Sequence, residues 1–173
     1  MLTEKMQSAL NDQINMEFAS AHIYLGMEAY FESIDLPGAA SWMRAQFQEE
    51  EIHAFKLFDY VHERDGDVEL AAIEAPAMSY DSPLAAFEAA LGHERKVSAS
   101  IHGLVDLAIA EKDHPTQSFL KWFVDEQVEE EATASAIVKQ LKLVGNQGHS
   151  LFMVDRELGQ RTPPAPAGED TAE

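Results

Sequence analysis

The chain has 173 residues, a length that suits one domain and leaves no room for two of ordinary size. Its 46% hydrophobic and 25% charged residues exclude global disorder, and the absence of cysteine excludes disulfides, thiolate metal sites, iron–sulfur clusters and a cysteine nucleophile. Lys plus Arg number 12 against 31 Asp plus Glu, a net charge of −19, so the surface repels nucleic acid and anionic lipid and attracts cations.

Taken in chain order, sparse glycines and prolines punctuate long helical stretches. The first runs from about Thr3, a suitable N-cap, to about Ser33. Asp35-Leu36-Pro37-Gly38 breaks it, and Pro37 suits the first turn of a second helix that ends at Arg64-Asp65 before Gly66. A linker from Asp67 to Asp81 follows. Ser82-Pro83 opens a third helix that ends near Asp113-His114, and Pro115 opens a fourth, closed by Gly145-Asn146-Gln147-Gly148. Ser150 to Leu158 fits a short amphipathic helix stopped at Gly159, and the Pro-rich acidic tail, residues 160–173, is expected to be disordered. β-Branched alternation is nowhere sustained, so no sheet is expected. Short links make helices one and two, and three and four, antiparallel neighbours. The linker is long enough to run back along the molecule. The expectation is an all-α four-helix bundle with one long crossover between helices two and three, plus a short fifth C-terminal helix, over residues 1–159. Residues 1–6 lack a basic and apolar leader pattern and no run is apolar enough to span a membrane, so a soluble cytoplasmic protein is expected, with no nucleic-acid or membrane partner.

Each helix carries an apolar stripe at alternating three- and four-residue steps. The first reads Leu10, Ile14, Glu17, Ala21, Tyr24; the second Met43, Phe47, Glu50, Ala54, Leu57; the third Leu84, Phe87, Leu91, Glu94, Ser98, Ile101; the fourth Leu120, Phe123, Gln127, Glu130, Ala134, Ile137. Glu17, Glu50, Glu94 and Glu130 each interrupt a stripe near mid-helix, which at 1.5 Å rise per residue puts all four within roughly 6 Å of one level. Taken singly, each acid has a plainer explanation as a solvated residue on a misread face, and runs such as Glu49-Glu50-Glu51 and Glu129-Glu130-Glu131 are commonly solvated. Convergence of four helices on one level points elsewhere. A buried layer of four carboxylates is tolerable only with a bound cation or several protons. His53, one turn after Glu50, adds an imidazole on the same face, and carboxylates with one imidazole suit iron or manganese better than structural zinc. His22, His62, His93, His102, His114 and His149 have no matched partner at helical spacing and are expected on the surface or at interfaces. Trp122, next to the stripe residue Phe123, is expected in the core or at an interface.

Asn15-Met16-Glu17-Phe18-Ala19-Ser20 with Tyr24, Gln48-Glu49-Glu50-Glu51-Ile52-His53, His93-Glu94, the segment from Phe119 to Glu131, and Leu151–Leu158 together resemble the bacterial non-haem ferritins, over Met1 to about Leu158. Ferritin-like proteins are themselves a standing example of the crossover bundle and of the inward-facing Glu-x-x-His pair. The resemblance implies a ferroxidase that oxidises Fe(II) with O2 or H2O2, and a homo-oligomeric shell of 24 subunits storing hydrated ferric oxide. It also implies roles for positions. Glu17, Glu50 and His53 bind the first iron of a di-iron centre. Glu50 bridges to the second, which Glu94 also binds, with Glu130 a further candidate. Gln127 lies beside the second iron, and Tyr24 adjoins the centre as a hydrogen-bond partner and candidate electron donor. A third iron site is matched by Glu49, Glu126, Glu129 and Glu130. Haem-binding relatives have Met at the Glu51 position and a second Glu-x-x-His on the fourth helix. This chain has neither, so no haem is expected. Three other readings fit less well. A rubrerythrin-like enzyme with a rubredoxin tail needs cysteines. Light-chain shells lacking ferroxidase chemistry lack this acid and His set. Twelve-subunit DNA-protecting cages have a helix in the linker, where this chain has Pro76 and Pro83.

Overall fold

A computed structural model describes residues 1–145 and 148–162. It contains five helices: α1 (Glu4–Ser33), α2 (Pro37–Glu63), α3 (Pro83–Glu111), α4 (His114–Val144) and α5 (Gly148–Leu158). Among the described residues there is no strand, and no helix is long and apolar enough to cross a membrane. The expected all-α bundle is therefore observed, with the helix ends where the stop signals put them to within a few residues. The caps explain the agreement. Thr3 and Ser82 side chains accept from the backbone N–H of Met6 and Ala85, and Pro37 and Pro83 open their helices. α4 starts one residue before Pro115 because Asp113 caps it, accepting from Thr116 N–H. α5 begins at Gly148, two residues earlier than expected.

α1 packs on α2 and α3 on α4, as the short links require, and α1 also meets α3. The crossover runs back along α1. Gln7, Asn11 and Asn15, four residues apart on one edge of α1, bond the backbone of 67–71: Asn11 donates to Asp67 O and accepts from Glu69 N–H, while Asn15 donates to Glu69 O and accepts from Ala71 N–H. These amides do for the strap what a neighbouring strand would do. Further on, Pro76 and Ala77 press against Gly26, where a Cβ would come within 2.8 Å of Ala77 O, and Tyr80 stacks edge-on with Tyr30. The strap thus climbs the full length of α1 and delivers α3 parallel to α2.

The core is divided. One apolar cluster, with Tyr24, Met27, Phe31, Met43, Phe87, Leu91, Ile137 and Leu141, fills one end of the bundle. A second, with Met6, Leu10, Ile14, Leu57, Val61, Ile101, Leu120 and Phe123, fills the other. Between them lies a polar layer. α5 lies across the end of the bundle against α2 and α4. Leu36 at the start of α2 offers no side-chain cap, and Asp155 of α5 supplies it, accepting from Ala39 N–H at 2.8 Å. Gly38 permits this approach, because a Cβ there would lie 1.7 Å from the Asp155 carbonyl oxygen. Residues 163–173, most of the tail expected to be disordered, lie outside the described residues.

Candidate metal centre

The polar layer is built by one or two side chains from each long helix: Glu17 from α1, Glu50 and His53 from α2, Glu94 from α3, and Gln127 and Glu130 from α4, all buried. Ligand atoms of Glu17, Glu50 and His53 lie within 4.8 Å of one another, and so do those of His53, Glu126 and Glu130. His53 is common to both groups. Its ring is held edge-on by Trp122, centroids 5.3 Å apart, and by Phe123 at 6.2 Å.

Three of the four stripe acids, Glu17, Glu94 and Glu130, accept hydrogen bonds from uncharged side chains. Gln13 donates to Glu17 Oε1 at 2.8 Å, Tyr24 donates its hydroxyl to Glu94 Oε1, Gln127 donates to Glu94 Oε2 at 3.2 Å, and Gln46 donates to Glu130 Oε2 at 2.9 Å. Glu17 Oε2 and Glu50 Oε2 are buried with no hydrogen bond to either. Such orphaned carboxylate oxygens are costly unless a proton or a cation meets them. The electrostatics say the same. Burial, and then the charge of Glu50, hold Glu17 well above the usual carboxylate range; burial, Glu94 and Glu130 do so for Glu50. Burial followed by Glu94 pushes Glu130 up to about 7, and burial raises Glu94 and Glu126. Tyr24, buried beside Glu94, is raised far above an ordinary phenol. Divalent cations would replace several protons here, and the donor set of oxygen anions with one imidazole is that of iron or manganese.

The structure thus brings Glu17, Glu50, His53, Glu94 and Glu130 together, the set expected from spacing, and puts Tyr24 and Gln127, implied by the resemblance, beside Glu94. It adds Glu126 to His53 and Glu130. Glu129 is exposed, and Glu49 turns away to Arg161, so neither joins that second group. Gln13 and Gln46 were not anticipated, although each sits four residues before the acid of its own helix, a spacing that shares a face. Trp122, expected in the core or at an interface, is exposed rather than core; it packs edge-on against His53 and lies under Lys56 Nζ at 4.5 Å. His93 differs from the other five histidines, which are exposed as expected. It is half-buried, its Nε2 lies 2.7 Å from Ser20 Oγ, and burial and then Lys96 lower its pKa to about 4. His93 and strap residues 72–77 line one cavity of about 700 Å³ between the strap, α1 and α3.

Fold and layer together define a crossover helical bundle organised about a buried acidic centre. Residues 7–144 match the family described as the ferritin-like domain. The chain is 46% identical over 161 residues to a bacterial non-heme ferritin of Bacteroides fragilis, covering 93% of this chain and all of that one. It is 37% identical over 162 residues to that of Staphylococcus aureus, covering 94% and 98%. Among solved structures, an open-pore ferritin from the hyperthermophilic archaeon Archaeoglobus fulgidus superposes with a TM-score of 0.93 at 52% identity, over 94% of this chain and all of that one. A humanized archaeal ferritin gives 0.94 at 49% identity, over 95% and 100%. The chain belongs to the ferritin family.

Proposed function

We propose that the protein is an iron-storage ferritin with ferroxidase activity, oxidising Fe(II) at a di-iron centre within each subunit and storing the ferric product inside a 24-subunit shell. The observation that carries this reading is the buried layer itself: carboxylates from four helices converge with one imidazole, and two buried oxygens are left without donors.

Fe(II) is substrate in this scheme. Glu17, Glu50 and His53 receive the first ion; Glu50, between the two sides, joins it to a second taken by Glu94 and Glu130. Each ion gives up one electron. Two electrons with two protons reduce O2 to H2O2, or reduce H2O2 to two waters. Carboxylate ligands favour Fe(III) over Fe(II), which drives the oxidation, and they exchange readily, which lets the product leave. Gln13 and Gln46 fix the orientation of Glu17 and Glu130, and Tyr24 and Gln127 fix that of Glu94. Glu126, with His53 and Glu130, starts a third site through which ferric ions pass to the cavity, with Glu49 and Glu129 at its rim. The negative charge of the shell draws Fe(II) inward.

Anaerobic titration with Fe(II) tests the reading. Binding of about two ions per subunit is expected, with protons released as the ions bind, and Glu50→Ala should abolish both the tight binding and the proton release. Tight binding indifferent to Glu50 would contradict it.

A further inference from the structure

The segment just beyond α5 is tied to the rim of the metal centre. The Asp155–Ala39 hydrogen bond seats α5, and a Cβ on Gly159 would lie only 3.2 Å from Gly38 Cα, so the chain leaves α5 closely held against the start of α2. Two residues later the Arg161 guanidinium forms an ion pair with Glu49 and lies over the Trp42 ring, 4.6 Å from its centroid. Both charged side chains are largely covered, Arg161 at 21% and Glu49 at 20% exposure. Arg161 Nη1 is buried and has no acceptor, so the arginine is held there for Glu49 and the indole rather than for a saturated network.

Glu49 precedes Glu50 in the chain, and its charge is felt by Glu50, Glu126 and Glu130. Glu49 stands at the rim of the third site proposed above, and its ion pair with Arg161 turns it away from the His53, Glu126 and Glu130 group. We propose that Arg161 is a tethered counter-cation that competes with a metal ion for Glu49, so that the third metal site is completed only when the C-terminal segment lets Glu49 go. Arg161 is a positioning residue: it acts through Glu49 and is not itself a ligand. Its effect is to keep that site weak, which favours onward release of the ion over retention. A guanidinium stacked on an indole is suited to this, because the indole holds the cation when the carboxylate leaves.

The proposal rests on the ferritin reading above. Its test uses the assembled full-length protein and a redox-inert ion, Zn2+, with calorimetry to count and rank the sites per subunit. In the wild type, two tight sites and a weaker third are expected. Arg161→Gln should leave the tight pair and strengthen the third site by about five- to tenfold, the scale of removing one competing, partly covered ion pair. Arg161→Lys, which keeps the charge, should stay within about twofold of wild type. Glu49→Gln added to Arg161→Gln should erase the gain, since the two act on one interaction. A third site unchanged or weakened by Arg161→Gln, with the tight pair intact, would overturn the competition while leaving the ferritin reading standing. Absence of the tight pair in the wild type would overturn both. A gain that survives Glu49→Gln would mean that Arg161 does not act through Glu49, and would overturn the proposal as well.

Discussion

At the residue scale, the layer is a set of acids whose protons stand where cations belong. Glu130 is the clearest case, with a folded-state pKa near 7 against an ordinary 4.5. Below 4.5 the group is protonated whether the chain is folded or not. Between 4.5 and 7 the folded protein keeps a proton that the unfolded chain releases, so its contribution to stability falls as pH rises through that window. The metal-free wild type should therefore lose thermal stability from pH 5 to pH 7 more steeply than Glu130→Gln, and Zn2+ should restore it. Equal slopes in the two proteins would contradict the assignment. Gln46 is the second test at this scale. It holds Glu130 through one buried hydrogen bond, so Gln46→Ala should weaken metal binding by about ten- to a hundredfold without disturbing the fold. Unchanged affinity would show that Glu130 needs no support.

At the element scale, α5 is fastened by the Asp155 cap, by the close contact at Gly38, and by Val154 and Leu158 buried in the apolar core. Asp155→Ala removes the acceptor for Ala39 N–H and should cost about 1 kcal/mol. Gly38→Ala should cost more, because its Cβ would meet the Asp155 backbone. Hydrogen exchange should show the loss confined to α5 and the residues after it, and loss spread evenly over the bundle would contradict the local role. The same elements show what was readable beforehand. Helix ends were legible because caps and prolines are local: Thr3, Pro37 and Ser82-Pro83 act on backbone groups within one turn of themselves. Glu17, Glu50, Glu94 and Glu130 were legible because an acid breaks an apolar period. Gln13 and Gln46 were not, because an uncharged amide on a helix carries no mark of what it will face. Arg161 and the covered His93 were not legible either. Both depend on contacts distant in sequence, one on the seat of α5 and the other on Ser20 of α1.

At the scale of the whole molecule, the net charge of −19 is more than the layer needs. Spread over the proposed shell it would make a field that concentrates cations, and such a field is screened over about 10 Å at 0.1 M salt. The initial rate of Fe(II) uptake at limiting iron should fall several-fold between 10 mM and 200 mM NaCl. A rate independent of salt would mean that entry is not steered by charge. Phe55, Val128, Leu143, Phe152 and Met153 are exposed on the isolated subunit, large apolar side chains of the kind that subunit contacts would cover.

One experiment reads both the di-iron centre and the storage shell of the proposed function. Metal-free protein is mixed aerobically with about two Fe(II) per subunit in a stopped-flow spectrometer, and the same sample is sized by gel filtration. A fast rise in ferric absorbance from a particle near 24 subunits is expected, with that fast phase absent in Glu50→Ala although the particle still assembles. A shell that oxidises Fe(II) no faster than Glu50→Ala would contradict it, because the acids of the layer would then not form a ferroxidase centre.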